Sequence, residues 1–177
     1  MYYVISDLIN TYEKKIERAY ASKLKDTNYK KNAQRYEYLL QFAHTMPLNF
    51  VVDCEKASSK NPDEPNAGSF VEIVVKYHYA HASEERGSKS AGTADIDYKN
   101  GRGVEIKFSL NGSCYNTPIA NPMKIYLVNR DGVYVIEKKD VDDVIEEYGK
   151  SGHLPYTAWE NARMLKTLSR LLGYNVD

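Results

Sequence analysis

Apolar residues recur at helical spacing through Val4, Leu8, Tyr12, Ile16 and Ala19, with Lys14, Lys15 and Arg18 on the wetter side. A second stripe, Ala33, Tyr36, Leu39, Leu40 and Ala43, runs toward Pro47, which cannot continue a helix. Residues 1–45 therefore predict two helices. Phe50-Val51-Val52 predicts a short strand. Residues 55–68, with Pro62, Pro65 and Gly68 among polar neighbours, predict a loop. The stretch from Ser69 to His81 carries two conflicting signals. Val71, Ile73, Val75, Tyr77 and Tyr79 alternate as in a strand. Against that, Ser69-x-x-Glu72 has the spacing of a capping box, and Glu72–Lys76 is a helical ion pair in its better orientation. The cap and the pair select a helix.

Ala82–Thr93, with Gly87, Gly92 and several serines, reads as a mobile loop. Two strands are expected over 93–98 and 103–109, joined around Asn100-Gly101. A second hairpin is expected from Met123–Asn129 and Val133–Glu137, closed by Arg130-Asp131-Gly132. Asp140 can cap a short helix through Val141, Val144, Ile145 and Tyr148 that stops near Gly149. Thr157-x-x-Glu160 opens a last helix carrying Trp159, Leu165, Leu168 and Leu172, ended by Gly173. Helices, then strands, then helices make an α+β domain spanning residues 1–177. Its parts are a helical N-terminal pair (1–47), a strand-rich core (69–137) and C-terminal helices (138–177).

At 177 residues the chain suits one domain with a real core. Its 24 Lys and Arg balance 24 Asp and Glu, which argues against holding nucleic acid by bulk charge alone. Residues 1–45 hold eight basic and five acidic residues, a local excess that reads as a solvated helical face. The early charges Asp7, Glu13, Lys14, Lys15, Glu17 and Arg18 are unlike a signal peptide, and no apolar run is long enough for a membrane span. Cys54 and Cys114 lack CxxC spacing, so a cytoplasmic protein with reduced thiols is expected. Sixteen tyrosines against four phenylalanines and one tryptophan suit half-buried surfaces and interfaces.

Chemistry concentrates in the segment GTADIDYKNGRGVEIKFS, Gly92 to Ser109. Its even positions Ala94, Ile96, Tyr98, Val104, Ile106 and Phe108 are apolar, while its odd positions include Asp95, Asp97, Glu105 and Lys107. With a side-chain period of two, the even set makes a buried face and the charged set points the other way. A two-residue turn would mix the faces. An odd-length connection pairs odd with odd, setting Asp97 opposite Glu105 and Asp95 opposite Lys107. Facing carboxylates repel, and a divalent cation removes that penalty. Carboxylates, the Ile106 carbonyl and waters suit magnesium, with Lys107 on the same face to orient water or neutralise phosphate charge.

Asp95, nine intervening residues and then Glu105-Ile106-Lys107 resemble the PD-(D/E)XK signature of restriction-endonuclease-like nucleases. Ala94 stands where that family usually has proline. The Asn111–Pro118 loop and the Lys124–Val128 strand also resemble segments that follow the core motif in some restriction enzymes. The resemblance covers residues 69–137. It implies a mixed β-sheet flanked by helices and a magnesium-dependent endonuclease acting on DNA, with manganese as a substitute metal. It further implies Asp95 and Glu105 as metal ligands, Asp97 as the rival ligand, Lys107 as the water-positioning group, and Glu72 as the acid donated by the preceding helix. Cutting both strands with so small a subunit implies a homodimer.

Other readings stand beside this one. Asp95, Asp97, Glu105 and Lys107 also fit a solvated sheet face held by cross-strand ion pairs, and a capping role accounts for Glu72. A nuclease-fold protein that binds rather than cuts is the functional alternative, as in phage anti-CRISPR or anti-restriction proteins directed at a host nuclease. A repair or junction-resolving nuclease would share the same core chemistry. His44, His78, His81 and His153 show no zinc pattern beyond His78-x-x-His81, and the Asp140–Glu147 acids suit a helix start.

Overall fold

A computed structural model describes residues 1–79, 84–86, 96–98, 103–109, 114–115, 124–129, 132–137, 153–154 and 162–176. These form a mixed α and β protein, with four helices among the described residues. The chain divides into two compact units, Met1–Val74 and Val75–Asp177. No described helix is long and apolar enough to cross a membrane.

In the N-terminal unit, β1 (Tyr2–Val4) passes directly into α1 (Ile5–Ala21), and α2 (Tyr29–His44) returns against it. Val4, at the cap position of α1, has no side chain able to cap. Main-chain carbonyls do the work instead: Ile5 N–H donates to Phe50 and Ser6 N–H to Leu48, each at 3.0 Å. β2 (Val51–Asp53) then runs antiparallel to β1, with Tyr3 opposite Val52. Both apolar stripes read from the sequence turn inward. Ile5, Leu8 and Tyr12 of α1 and Leu39 and Phe42 of α2 are fully buried, each worth roughly 1.5–3 kcal/mol relative to exposure.

Residues 55–68 are not a loop. β3 (Lys56–Ser58) and β4 (Asn61–Pro65) form an antiparallel hairpin with an irregular register between Lys56 and Ser58. A two-stranded ribbon leaves each strand an unpaired edge, where the missing N–H of Pro62 and Pro65 is tolerated. The hairpin carries Glu64 into the core. Its Oε1 accepts a hydrogen bond from the Tyr36 hydroxyl at 3.3 Å and lies 3.6 Å from Lys15 Nζ. Burial, reinforced by the charge on Glu64, pushes the Tyr36 phenol up to about 12.

Tyr12 lies between Tyr36 and Phe70, with ring centroids 6.1 and 6.0 Å away, and its hydroxyl has no partner among the described residues. Burying an unmatched hydroxyl costs about 1–3 kcal/mol. Tyr12→Phe is therefore expected to raise the thermal midpoint, by about 1 kcal/mol of stability in a melt. A lowered midpoint would mean that an ordered water satisfies the group.

α3 (Ala67–Tyr79) confirms helix over strand, because burial at Ala67, Phe70, Val71, Val74 and Val75 follows a period near 3.6. Its cap lies three residues earlier than expected. Asn66 Oδ1 accepts the Ser69 N–H at 3.2 Å, and the Asn66 carbonyl accepts the Phe70 N–H at 2.9 Å. Asn66 is thus the cap, Ser69 lies already inside the first turn, and the expected Ser69–Glu72 capping box is corrected.

The C-terminal unit is built on a six-stranded sheet of β5 (Glu84–Arg86), β6 (Ile96–Tyr98), β7 (Gly103–Phe108), β9 (Lys124–Asn129), β10 (Gly132–Glu137) and β12 (Arg163–Met164). The spatial order is β12-β10-β9-β7-β6-β5. β7 and β9 are parallel and all other neighbours antiparallel, so the sheet is mixed. β8 (Cys114–Tyr115) pairs separately with β11 (His153–Leu154). The expected β9–β10 hairpin is present with Asn129 opposite Gly132. Gly132 has φ 148°, and a Cβ there would meet Met164 Cε at 3.1 Å, so the position requires glycine.

Two further expectations change. Glu84–Arg86, within the stretch read as a loop, is the edge strand β5. Of the last helix, expected from Thr157, residues 157–161 lie outside the described ones; beyond them Arg163–Met164 pairs with β10 as β12, and the helix is α4 (Lys166–Leu171). The α4 region is tied to the sheet by Leu165 N–H to the Val133 carbonyl at 2.7 Å and by Val133 N–H to Ser169 Oγ at 3.1 Å. The expected helix over 141–148 lies outside the described residues.

Candidate active site

β7 sits between β6 and β9, so it is an interior strand. Val104 and Ile106 form its buried face, as the alternation predicts. At Glu105 the opposite face is not the solvated one that the ion-pair alternative describes. Glu105 is only 5% exposed. The parallel register sets Glu105 beside Ile125 and Lys107 beside Leu127, both buried and apolar.

The predicted companionship of Glu105 and Lys107 is real. Lys107 Nζ lies 2.7 Å from Glu105 Oε1, a short charge-assisted contact between residues two apart on one face. Glu105 Oε2 is buried and has no partner among the described residues. One oxygen of a desolvated carboxylate is thus matched and the other is not. That leaves an unmet demand for a cation, a proton donor or a water.

The neighbouring strand corrects the expected register by one rung of the same face. Ile96 is opposite Val104 and Asp97 is opposite Gly103, so odd pairs with odd as expected, but Asp97 does not face Glu105. Asp95 lies outside the described residues. β5 adds a residue that the sequence reading missed. Glu85 is opposite Asp97, so two acidic positions share a rung. No apolar alternation marks Glu84-Glu85-Arg86 as a strand, and only its pairing with β6 reveals it.

Ile106 is buried and runs in register with Tyr126. Glu72 lies on α3 within the N-terminal unit, partly exposed, and the cap at Asn66 removes the capping explanation for it. Burial pushes the His78 imidazole down, and His81 lies outside the described residues. Among the described residues no group of three or more His, Cys, Asp or Glu side chains gathers as a metal cage. No protein-family model, curated protein or solved structure matches this chain.

Proposed function

We propose that the protein is a magnesium-dependent nuclease that hydrolyses DNA phosphodiester bonds on a restriction-endonuclease-like sheet, with manganese as a substitute metal. The observation that carries this reading is Glu105, a desolvated carboxylate with one oxygen on Lys107 and the other without a partner among the described residues. That donor chemistry fits a hard cation, and magnesium needs only one or two carboxylates because it keeps several waters. Glu105 and Asp95 would hold the metal, with Asp97 as the alternative and the Ile106 carbonyl as a further donor.

Within this proposal Asp95 is the first choice of partner acid, because it holds the motif position and Asp97 faces Gly103 rather than Glu105. Glu85, across from Asp97, supplies an additional acidic position. When bound, magnesium supplies water activation and charge neutralisation at the phosphoryl group. Lys107 is held beside Glu105 to orient water or meet charge building on the phosphate. A homodimer would let so small a subunit cut both strands.

Supercoiled plasmid with magnesium tests the proposal. Nicked or linear product is expected from the wild-type protein and its loss from Glu105→Gln. Intact plasmid with either magnesium or manganese would remove the enzyme reading. A second reading has one observation in its favour: Glu105 and Lys107 match each other as structural ions do. In that case the chain is a nuclease-fold binder of a host CRISPR or restriction nuclease, and mixing with such a nuclease would give a stable, inactive complex.

A further inference from the structure

The chain is neutral, but its charge is not evenly spread. Residues 14–35 hold eight Lys or Arg against only Glu17 and Asp26, an excess of six that the rest of the chain offsets. Lys14 and Arg18 lie on α1, Lys23 and Lys25 in the connecting turn, and Lys30, Lys31 and Arg35 on α2, and all seven are exposed. Among the described residues none of the seven has an ion-pair partner, whereas Lys15 is engaged by Asp63 and Glu64 at 3.6 Å. Asp26 is the one acid between Arg18 and Lys31. Its carboxylate accepts the Asn28 N–H at 2.8 Å and the Asn32 amide at 3.3 Å, holding the turn together.

Folding stability does not account for this cluster. The first turn of α2 holds Lys30 and Lys31 and no acid, the reverse of what a helix dipole favours, and the Asn28 side chain makes no capping bond. Neighbouring like charges also repel. An anion lying across the tip relieves both penalties.

A membrane surface is the weaker candidate for that anion. Interfacial helices need a whole apolar face, and the apolar stripe of α1 is buried in its own unit. Among the large hydrophobic side chains of the tip, Leu24 (91%) and Tyr20 (46%) stand out as exposed. Tyr20 donates its hydroxyl to Glu37 at 2.8 Å and Lys30 lies over the Tyr29 ring, so a run of exposed cations without ion-pair partners among the described residues suits a phosphate backbone better.

We infer that the α1–α2 tip docks the phosphate backbone of duplex DNA through Arg18, Lys23, Lys25, Lys30 and Lys31. The inference shares its substrate with the nuclease reading but uses other residues, and it holds whether or not the protein cuts. The test is fluorescence anisotropy of a labelled short duplex in EDTA across a salt series. The variants are Lys23→Ala/Lys25→Ala/Lys30→Ala/Lys31→Ala and a control, Lys56→Ala/Lys60→Ala, taken from exposed positions of the β3–β4 hairpin. Circular dichroism verifies that both keep the native fold.

The tip variant is expected to bind at least about tenfold more weakly, with the log K against log salt slope shallower by about 3.6, or 0.9 for each phosphate contact removed. The control variant should bind as the wild type does. Three results each overturn the inference: duplex affinity untouched by the tip substitutions, an equal loss in the control, and retention on phosphatidylserine vesicles without duplex binding. Binding is scored without metal, so a protein that docks DNA through the tip and never cuts sinks the nuclease reading alone. One that cuts while its affinity ignores the tip sinks this one alone.

Discussion

Lys107→Ala is expected to lower folding stability by about 3 kcal/mol, the low end of what removing one partner of a buried ion pair costs. The low end applies because the Lys107 side chain is 23% exposed while that of Glu105 is 7% exposed. Without the ammonium, Glu105 keeps its desolvation penalty and has lost the contact to Oε1, while Oε2 was unmatched already. In a thermal melt the loss should read as a midpoint lower by roughly 6–12 °C. Replacing both ions with apolar residues of similar shape, Glu105→Leu with Lys107→Met, should recover most of it, since no charge is then left behind. A Lys107→Ala variant within about 0.5 kcal/mol of wild type would show the pair to be water-screened. The reading of Glu105 as a desolvated carboxylate would fall with it.

Glu105→Gln should reduce magnesium-dependent cleavage by at least about a hundredfold, because the substitution removes a charged metal ligand and leaves the backbone untouched. The same site gives a readout independent of turnover. A cation that binds only the native state stabilises it by about 2.7 kcal/mol at a hundred times its dissociation constant. Magnesium should therefore raise the wild-type melting midpoint and leave that of Glu105→Gln unchanged. An equal rise in both would place the metal elsewhere. No rise in the wild type, together with intact plasmid, would leave the ion pair with a structural role only.

The apolar stripe Val4–Leu8–Tyr12 and the Ala33–Ala43 pattern were enough to read α1 and α2, because helical burial repeats every 3.6 residues and is visible in one segment at a time. Alternation likewise predicted that even positions of β6 would pair with even positions of β7. It could not predict which rung. A slip of two residues keeps every side chain on its face, so the hydrophobic pattern is blind to it, and Asp97 came to face Gly103 rather than Glu105. Local signals failed where another strand captured a segment. Arg163–Met164 lies within a predicted helix and Glu84–Arg86 within a predicted loop, yet each is bound to a sheet edge. Pro62 and Pro65 misled for the opposite reason, since a breaker in an interior strand is harmless in a two-stranded ribbon.

By itself, the sequence determined the periodicities, the parity of the β6–β7 ladder, the shared face of Glu105 and Lys107, and the crowding of cations over residues 14–35. These are properties of neighbours along the chain, set by backbone geometry. Tertiary structure decided what surrounds them. Placing β7 between two strands buried Glu105 beside Ile125, and Asp26 was engaged by Asn28 and Asn32 of its own turn. Burial and pairing depend on residues far away in the chain, and they decide whether a charge holds the fold together or remains available to a ligand.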